Sequence, residues 1–229
     1  MNLQGYQKMT LLDVPGKVAA TLFCGGCNLR CPFCHNGQLV KAPNQSPSCT
    51  QEALAYLAQR RGLLDAVCVT GGEPLLQPDL PQLLQQLKEM GYFVKLDTNG
   101  SQPQQLEKLL SLGLVDQVAM DIKSAPKHYP QATGTQLSAE LFAQSAALLR
   151  QSGLPHEFRT TLVKPLHIPA HVEKAAQWVG DSPYFLQNYK DSPDILCPGP
   201  WESFSPQEMQ EFLHQAQKIA PQTRIRGEE

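Results

Sequence analysis

A regular alternation of strand-like and helix-like segments constrains the fold more than any other feature of the chain. Six short runs rich in β-branched and aromatic residues are typical of buried strands, and they span residues 17–23, 65–71, 92–98, 115–123, 157–163 and 183–189. Between them lie amphipathic segments with helical spacing, most of which end at a glycine, as in LPQLLQQLKEMG. A strand followed by a helix, repeated in this way, predicts a parallel sheet with right-handed crossovers. Six units are too few for a closed eight-stranded barrel. We therefore predict an α/β fold, an open partial (β/α)6 barrel with parallel strands.

The length of the chain agrees with one domain, and no linker-like segment interrupts the alternation. We expect a single domain over residues 1–229. Its core is predicted at about residues 15–200, followed by a C-terminal helix and charged tail at about 203–229.

The charge balance and the cysteines restrict the class of protein. The chain has 19 Lys and Arg against 21 Asp and Glu and contains no basic run, so we expect no nucleic-acid partner. No window reaches the apolar length of a membrane span, and the first fifteen residues lack the basic start and apolar core of a secretory signal. Seven cysteines, four of them clustered, fit metal or redox use in a reducing compartment. We therefore expect a cytoplasmic protein without a membrane partner.

The clustered cysteines lie in CGGCNLRCPFCHNG, residues 24–37. The loop that carries Cys27, Cys31 and Cys34 can hold three corners of an iron-sulfur cubane and leave one iron open to an external ligand. All four thiolates could instead close around zinc as a structural interaction module. Cys24 lies at the end of the first predicted strand, where the alternation of side chains can point it into the barrel wall. This position favours a cluster held by the other three cysteines. The scattered cysteines are interpreted as ordinary small apolar residues: Cys49, Cys68 and Cys197.

Polar and glycine-rich motifs end the next three predicted strands: GGEP at 71–74, DTNG at 97–100 and MDIK at 120–123. The carboxyl ends of parallel strands meet at one edge of a sheet, so we expect these motifs to share a site with the cysteine loop. A structural zinc gives no reason for them. Taken singly, GGEP also suits a tight turn, and the acid and base of MDIK also suit a solvated ion pair.

A thiol-disulfide oxidoreductase that uses Cys24 and Cys27 is a further alternative. Such a cysteine pair is expected to open a helix, where the thiol pKa is lowered. Here the pair follows a strand and precedes a loop that contains proline, which disfavours this alternative.

The stretch CNLRCPFCHN, with Phe33 directly before the third cysteine, resembles the signature of the radical S-adenosylmethionine enzymes. The following His35-Asn36 resembles the branch that activates glycyl radical enzymes. TLLDVPGKVAATLF, residues 10–23, resembles the opening strand of the activating proteins of anaerobic ribonucleoside-triphosphate reductase. The resemblance continues through GGEP, LDTNG and MDIK in the order of the family, over roughly residues 5–165. It implies a radical SAM core.

The resemblance also implies the cofactors and the residues that bind them. Cys27, Cys31 and Cys34 would hold a [4Fe-4S] cluster. The residues implied for S-adenosylmethionine are Phe33, Cys34, His35, Gly72, Glu73, Asp97, Asp121, Ile122 and Lys123. A monovalent cation is implied at Asp97, Thr98 and Asp121. No side chain is implied as a catalytic group, because the cofactor carries the radical.

The activity implied is reductive cleavage of S-adenosylmethionine to methionine and a 5′-deoxyadenosyl radical. This radical would abstract a Cα hydrogen from one glycine of a partner enzyme, here anaerobic (class III) ribonucleoside-triphosphate reductase, with a flavodoxin or ferredoxin-type electron donor. The alternatives are an activating enzyme of pyruvate formate-lyase or of another glycyl radical enzyme and, more distantly, a radical enzyme that acts on a small molecule. The segment after the cysteine loop contains only Cys49, so a single cluster is expected.

The chain departs from the family near the end of the sixth predicted strand. Related activating enzymes often have a histidine there, whereas this chain reads QNYK. The last adenosine contact therefore stays unassigned among Gln187, Asn188 and Lys190, and Arg159 to Thr161 are further polar groups near a strand end. Only His35 lies in a motif. The other histidines are predicted on the surface: His128, His156, His167, His171 and His214.

Overall fold

The structure is a computed structural model that describes residues 1–41 and 47–227. Part of the segment between the cysteine loop and Cys49, and the last two residues of the predicted tail, lie outside the described residues.

The described residues form strands and helices in alternation. The strands are β1 Leu3–Thr10, β2 Ala19–Cys24, β3 Ala66–Gly71, β4 Phe93–Thr98, β5 Gln117–Asp121, β6 His156–Leu162, β7 Tyr184–Asn188 and β8 Thr223–Ile225. The helices are α1 Gly37–Lys41, α2 Thr50–Gln59, α3 Leu80–Glu89, α4 Pro103–Ser111, α5 Tyr129–Thr133, α6 Ala139–Gln151, α7 Pro169–Val179 and α8 Pro206–Gln217. Short 3-10 turns cover Pro74–Leu76 and Pro126–His128.

The strands follow one another in the sheet in chain order, from β1 to β8. This order has two ends, so the sheet is open. β2, β3 and β4 pair in parallel, as do β6, β7 and β8, whereas β1 runs antiparallel to β2. All six predicted strands are present as β2 to β7, with ends shifted by at most two residues. The predicted open α/β fold with parallel strands is confirmed.

Two strands were not predicted. β1, with the sequence LQGYQKMT, buries only its end residues Leu3 and Thr10, so its pattern lacks the apolar run of the other strands. β8 buries Thr223 and Ile225 and pairs with β7. The predicted tail thus contains a short strand, which the sequence did not indicate because three residues are too few to show a periodic pattern.

The chain divides into two compact units, and each is described by itself. The first unit comprises Met1–Asn28, Gln38–Thr98 and Gln104–Val118. In this unit α3 buries one face, formed by Leu80, Leu83, Leu84 and Leu87, because these positions recur at helical spacing. Full burial of each leucine side chain contributes about 1.5–3 kcal/mol to folding.

The second unit comprises Leu29–Gly37, Asn99–Pro103 and Ala119–Glu229. α7 buries Val172, Ala175, Ala176 and Val179 in the same helical pattern. At the start of α8, the side chain of Ser205 and that of Glu208 each accept a backbone N–H of the other residue, which forms a capping box. The single domain expected from the sequence stays a prediction.

No helix of the described ranges combines the length and the apolar character that a membrane crossing needs.

Candidate functional site

The GGEP motif is bound to the chain that leaves β2. The Gly72 amide donates to the Cys24 carbonyl, and the Glu73 amide donates to the Gly26 carbonyl, both at 2.8 Å. A Cβ at Gly71 would lie 2.5 Å from the Cys24 nitrogen, and one at Gly72 would overlap the Gly26 carbonyl oxygen. Both glycines are therefore required by the close approach of the two backbone segments.

Glu73 and Thr98, two of the predicted site residues, are in contact in the first unit. The Glu73 side chain is fully buried. Its Oε1 accepts from the Thr98 hydroxyl at 2.7 Å and from the Leu75 amide at 3.0 Å. The carboxylate thus joins the end of β4 to the turn that follows GGEP. Its predicted contact with the cofactor stays a prediction.

Asp97 forms an ion pair that the sequence analysis missed. Lys95, on β4, is only 1% exposed, and its Nζ lies 3.3 Å from Asp97 Oδ1. The same ammonium donates to the Asp13 carbonyl oxygen at 2.7 Å. The sequence did contain an indication of this pair: Lys95 lies two residues before Asp97 and therefore on the same face of the strand.

Cys24 lies at the end of β2 and is fully buried. Burial raises the pKa of its thiol well above the ordinary value, and the nearby Glu73 carboxylate raises it further. Its predicted position outside the cluster stays a prediction.

The second unit contains Cys31 and Cys34, whereas Cys27 belongs to the first. The Cys34 amide donates to the Cys31 carbonyl at 3.0 Å, which closes a tight turn around Phe33. The segment after β7 holds this turn, because the Leu196 amide donates to the Cys34 carbonyl at 3.0 Å. All three predicted cluster ligands are thiols rather than halves of disulfides.

Asp121, Lys123 and Arg159 form one charged cluster in the second unit. Lys123 Nζ and Arg159 Nε each lie 2.9 Å from a different oxygen of Asp121. Burial opposes ionisation of Asp121, but Arg159 and Lys123 outweigh it and hold the pKa of the carboxyl well below its usual range. Burial likewise disfavours the charged form of Lys123, but the Asp121 carboxylate outweighs this and raises its pKa. Two cations against one carboxylate leave a net positive charge suited to an anionic ligand.

The backbone of Ile122 is fixed between the strands of this unit. Its amide donates to the Arg159 carbonyl at 2.8 Å, and its carbonyl accepts from the Thr160 hydroxyl at 2.6 Å. Thr160 therefore supports the strand end rather than presenting its hydroxyl for binding.

His167 was predicted on the surface, and this prediction is wrong, because only 2% of the residue is exposed. Its Nδ1 accepts from the Val163 amide at 3.1 Å, so the proton is on Nε2, which donates to the Lys123 carbonyl at 2.8 Å. Burial lowers the pKa of His167 and favours the neutral ring. The ring meets Phe33 edge-on, with centroids 6.0 Å apart. The sequence did not indicate these contacts, because His167 lies in a loop after β6 and outside every motif.

The residues at the end of β7 and directly after it have structural contacts. Asn188 donates to the Phe204 carbonyl at 2.7 Å and accepts from the Phe204 amide at 2.9 Å, so its side chain anchors the chain. A ring nitrogen of the exposed His35 lies 2.5 Å from the Lys190 carbonyl oxygen. His214 is exposed as predicted. The remaining histidines are partly buried: His128, His156 and His171.

The donor chemistry fits an iron-sulfur cluster. Among residues 1–41 and 47–227, no three His, Cys, Asp or Glu side chains are gathered as they would be around a single metal ion. An iron-sulfur cluster takes Cys thiolates as its protein ligands. The thiols of Cys27, Cys31 and Cys34 offer three such ligands.

The parallel sheet has its cysteine loop after β2 and charged residues at later strand ends, an arrangement typical of α/β folds that bind a ligand at the carboxyl ends of their strands. The family model of the Radical SAM superfamily matches residues 21–179. The chain belongs to this superfamily and is a radical SAM enzyme.

Two relatives come from the curated proteins. A protein of Methanocaldococcus jannaschii named as a glycyl-radical enzyme activating enzyme, MJ1227, is 29% identical over 196 residues, which cover 82% of this chain and 80% of that protein. The pyruvate formate-lyase-activating enzyme of Clostridium pasteurianum is 32% identical over 126 residues, 53% of this chain and 52% of that protein. The chain thus spans most of the first relative and about half of the second.

A crystal structure of SuiB from Streptococcus suis bound to S-adenosylmethionine shares the fold, with a TM-score of 0.70 at 14% identity. The likeness covers 90% of this chain and 49% of SuiB. Together with the match of the family model, this likeness of fold confirms the predicted radical SAM core. Membership of the family supports S-adenosylmethionine and a [4Fe-4S] cluster as the cofactors of this chain.

Proposed function

We propose that this chain activates a glycyl radical enzyme and that its protein substrate is anaerobic (class III) ribonucleoside-triphosphate reductase. The similarity to MJ1227 carries the first part, because it extends over 82% of this chain and 80% of a protein named as an activating enzyme. The DVPGK motif at residues 13–17 supports the second part. An activating enzyme of pyruvate formate-lyase is the alternative, favoured by the Clostridium pasteurianum relative.

In this proposal Cys27, Cys31 and Cys34 hold the cluster. When bound, the cluster and S-adenosylmethionine supply one-electron cleavage of the sulfonium to a 5′-deoxyadenosyl radical. The protein contributes binding and orientation, and no side chain has to transfer a proton. The electron donor in this proposal is a flavodoxin or ferredoxin-type protein.

The charged cluster of the second unit is proposed to bind the carboxylate of the methionine moiety. Lys123 and Arg159 carry two positive charges against the single charge of Asp121. His167 acts as a positioning residue, because its Nε2 hydrogen bond fixes the Lys123 carbonyl and its ring packs on Phe33. Phe33 is the proposed flank for adenine. The remaining proposed contacts are Cys34, His35, Gly72, Glu73, Asp97 and Ile122.

A glycyl radical assay tests the function. The cluster is reconstituted without oxygen and reduced, and S-adenosylmethionine is added with either class III reductase or pyruvate formate-lyase. We expect 5′-deoxyadenosine in every sample, and a glycyl radical signal in electron paramagnetic resonance with the reductase. A signal only with pyruvate formate-lyase would select the alternative. Absence of deoxyadenosine from all samples would contradict the radical chemistry.

Cysteine variants test the ligand count in the same protein. Serine at Cys27, Cys31 or Cys34 is expected to abolish the cluster, measured as bound iron and sulfide. Cys24→Ser is the matched control, since Cys24 lies in the same segment but is buried at the end of β2. It should retain both cluster and cofactor cleavage. Loss of the cluster in this variant would refute the three-ligand assignment.

A further inference from the structure

We propose that the Lys95 ammonium supplies, at Asp97, the positive charge that the family resemblance assigns to a monovalent cation. S-adenosylmethionine binding by this chain then requires neither Na⁺ nor K⁺. The inference rests on the cofactor binding in the proposed function and concerns the chain's own residues at that site.

The surroundings of Lys95 show that its ammonium group is buried in the protein. The residue is 1% exposed and is one of the largest fully buried side chains of the described protein. On the neighbouring strand its partner in register is Cys68, which belongs to an apolar cluster with Val14 and Ala66. A buried ammonium is costly unless oxygen ligands compensate it, so its oxygen contacts are essential to its presence there.

The contacts of Lys95 Nζ are those that a hard monovalent cation would make. It lies 3.3 Å from a carboxylate oxygen of Asp97 and 2.7 Å from the backbone carbonyl oxygen of Asp13. Hard cations in proteins take carboxylate and carbonyl oxygens as ligands. An ammonium carries the same charge and is held covalently, so its occupancy does not depend on the salt in solution.

The other two predicted cation ligands also have partners within their own units. The Thr98 hydroxyl donates to Glu73 Oε1 at 2.7 Å. Asp121 binds Lys123 and Arg159, both at 2.9 Å. A lysine or arginine side chain therefore lies beside each predicted carboxylate ligand. The contact of Lys95 Nζ with Asp97 Oδ1 is one of charge without a hydrogen bond, because that oxygen accepts none from the described residues. A metal cation added beside Asp97 would be repelled by the Lys95 ammonium.

Salt replacement in the wild-type chain tests the inference directly. KCl is exchanged for tetramethylammonium chloride at constant ionic strength. The dissociation constant of S-adenosylmethionine is measured on the reconstituted protein by calorimetry, and thermal unfolding is measured on the cluster-free protein. We expect neither quantity to change. A saturable dependence of either quantity on K⁺ would overturn the inference.

Lys95→Met removes the charge while keeping an unbranched side chain. In tetramethylammonium chloride this variant should bind S-adenosylmethionine at least about fivefold more weakly, the low end of ordinary coupling between two ligands. KCl should restore its affinity and raise the unfolding temperature of its cluster-free form. Wild-type affinity of the variant without K⁺ would contradict the inference, as would weakened binding that KCl does not restore.

Two further variants are matched controls. Lys88→Met breaks another lysine–aspartate pair of the same unit, with Asp116 at 2.6 Å, and should gain no response to K⁺. Lys95→Arg keeps the positive charge and should stay indifferent to K⁺. If Lys95→Met does not fold, the wild-type salt experiment and Lys95→Arg still decide the question.

These measurements distinguish a failure of this inference from a failure of the proposed function. A chain that binds S-adenosylmethionine without K⁺ but activates no glycyl radical enzyme would refute the proposed partner and keep the inference. A wild-type chain that binds no S-adenosylmethionine in any salt would refute the proposed function. In that case the response of the cluster-free protein to K⁺ still decides whether Lys95 occupies the cation position.

Discussion

Gly72 lies where the chain after β3 comes within hydrogen-bonding distance of the chain after β2. A Cβ at this position would overlap a backbone carbonyl, which cannot move away as a flexible side chain could. We therefore expect Gly72→Ala to lower the free energy of unfolding by about 1–3 kcal/mol, the usual cost of overpacking. Urea denaturation of the cluster-free protein measures this change.

Gly5→Ala provides the control for Gly72→Ala. Gly5 lies in β1, and an added Cβ there would meet nothing within 4 Å. Its substitution should change the free energy of unfolding by no more than about 0.5 kcal/mol. Equal effects of the two substitutions would show that the close approach at Gly72 does not limit stability.

Residues inside motifs could be predicted from the sequence, and their supporting partners could not. Glu73 and Thr98 lie in separate motifs, and the structure brings them within 2.7 Å. Lys95 and His167 lie outside the motifs and were missed. The spacing of Lys95 and Asp97 places both on one face of β4, but only the fold shows that the lysine is buried there. The contacts of His167 depend on a loop, whose path no periodic pattern predicts.

Helix α8 shows how one element is fixed by its first turn. Glu208 completes the capping box with Ser205 and also lies 2.8 Å from Lys164 Nζ. The hydrogen bond from Lys164, followed by those from Ser205, lowers the pKa of Glu208 to about 2. The carboxyl therefore ionises at a lower pH in the folded chain than in the unfolded chain.

A pH titration tests this element. The contribution of Glu208 to stability is complete above about pH 4.5, the ordinary value for a glutamate. It is lost as the pH falls towards 2. Within that window the unfolding free energy of the wild type should fall more steeply than that of Glu208→Gln. Glu211→Gln, an exposed position on the same helix, should follow the wild type. Parallel curves for the wild type and Glu208→Gln would contradict the role assigned to the cap.

Strands and helices with a periodic pattern of apolar residues could be predicted from the sequence. The strands β2 to β7 are short runs rich in β-branched and aromatic residues, and helices such as α3 and α7 bury faces at regular spacing. β1 and β8 were not predicted, because a mostly polar edge strand and a strand of three residues show no such periodic pattern. Pairing with β2 and β7, rather than local propensity, makes these two segments strands.

The whole molecule provides a test of the single-domain prediction. Strand β5 contributes Gln117 and Val118 to the first unit and its remaining residues to the second. A strand is not stable without its neighbours, so we expect both units to unfold in one cooperative transition. Calorimetry of the cluster-free protein should show equal calorimetric and van't Hoff enthalpies.

The variant Val118→Ala tests the same prediction with a substitution in the shared strand. Val118 is fully buried in β5, and its truncation should lower the midpoint of the single transition without dividing it. Two resolved transitions in the wild type, or a variant in which only one part melts earlier, would contradict the single domain.

The order of the strands has a consequence for synthesis on the ribosome. Within the first unit β3 and β4 each pair with the strand translated just before, and in the second unit β7 and β8 do the same. Each of these strands can add to an edge that already exists when it emerges, so few unpaired edges are exposed to aggregation at any time. β8 begins 35 residues after β7 ends, and until it emerges the edge of β7 stays open. A nascent chain halted before residue 223 would therefore still present a strand edge to chaperones and to other chains.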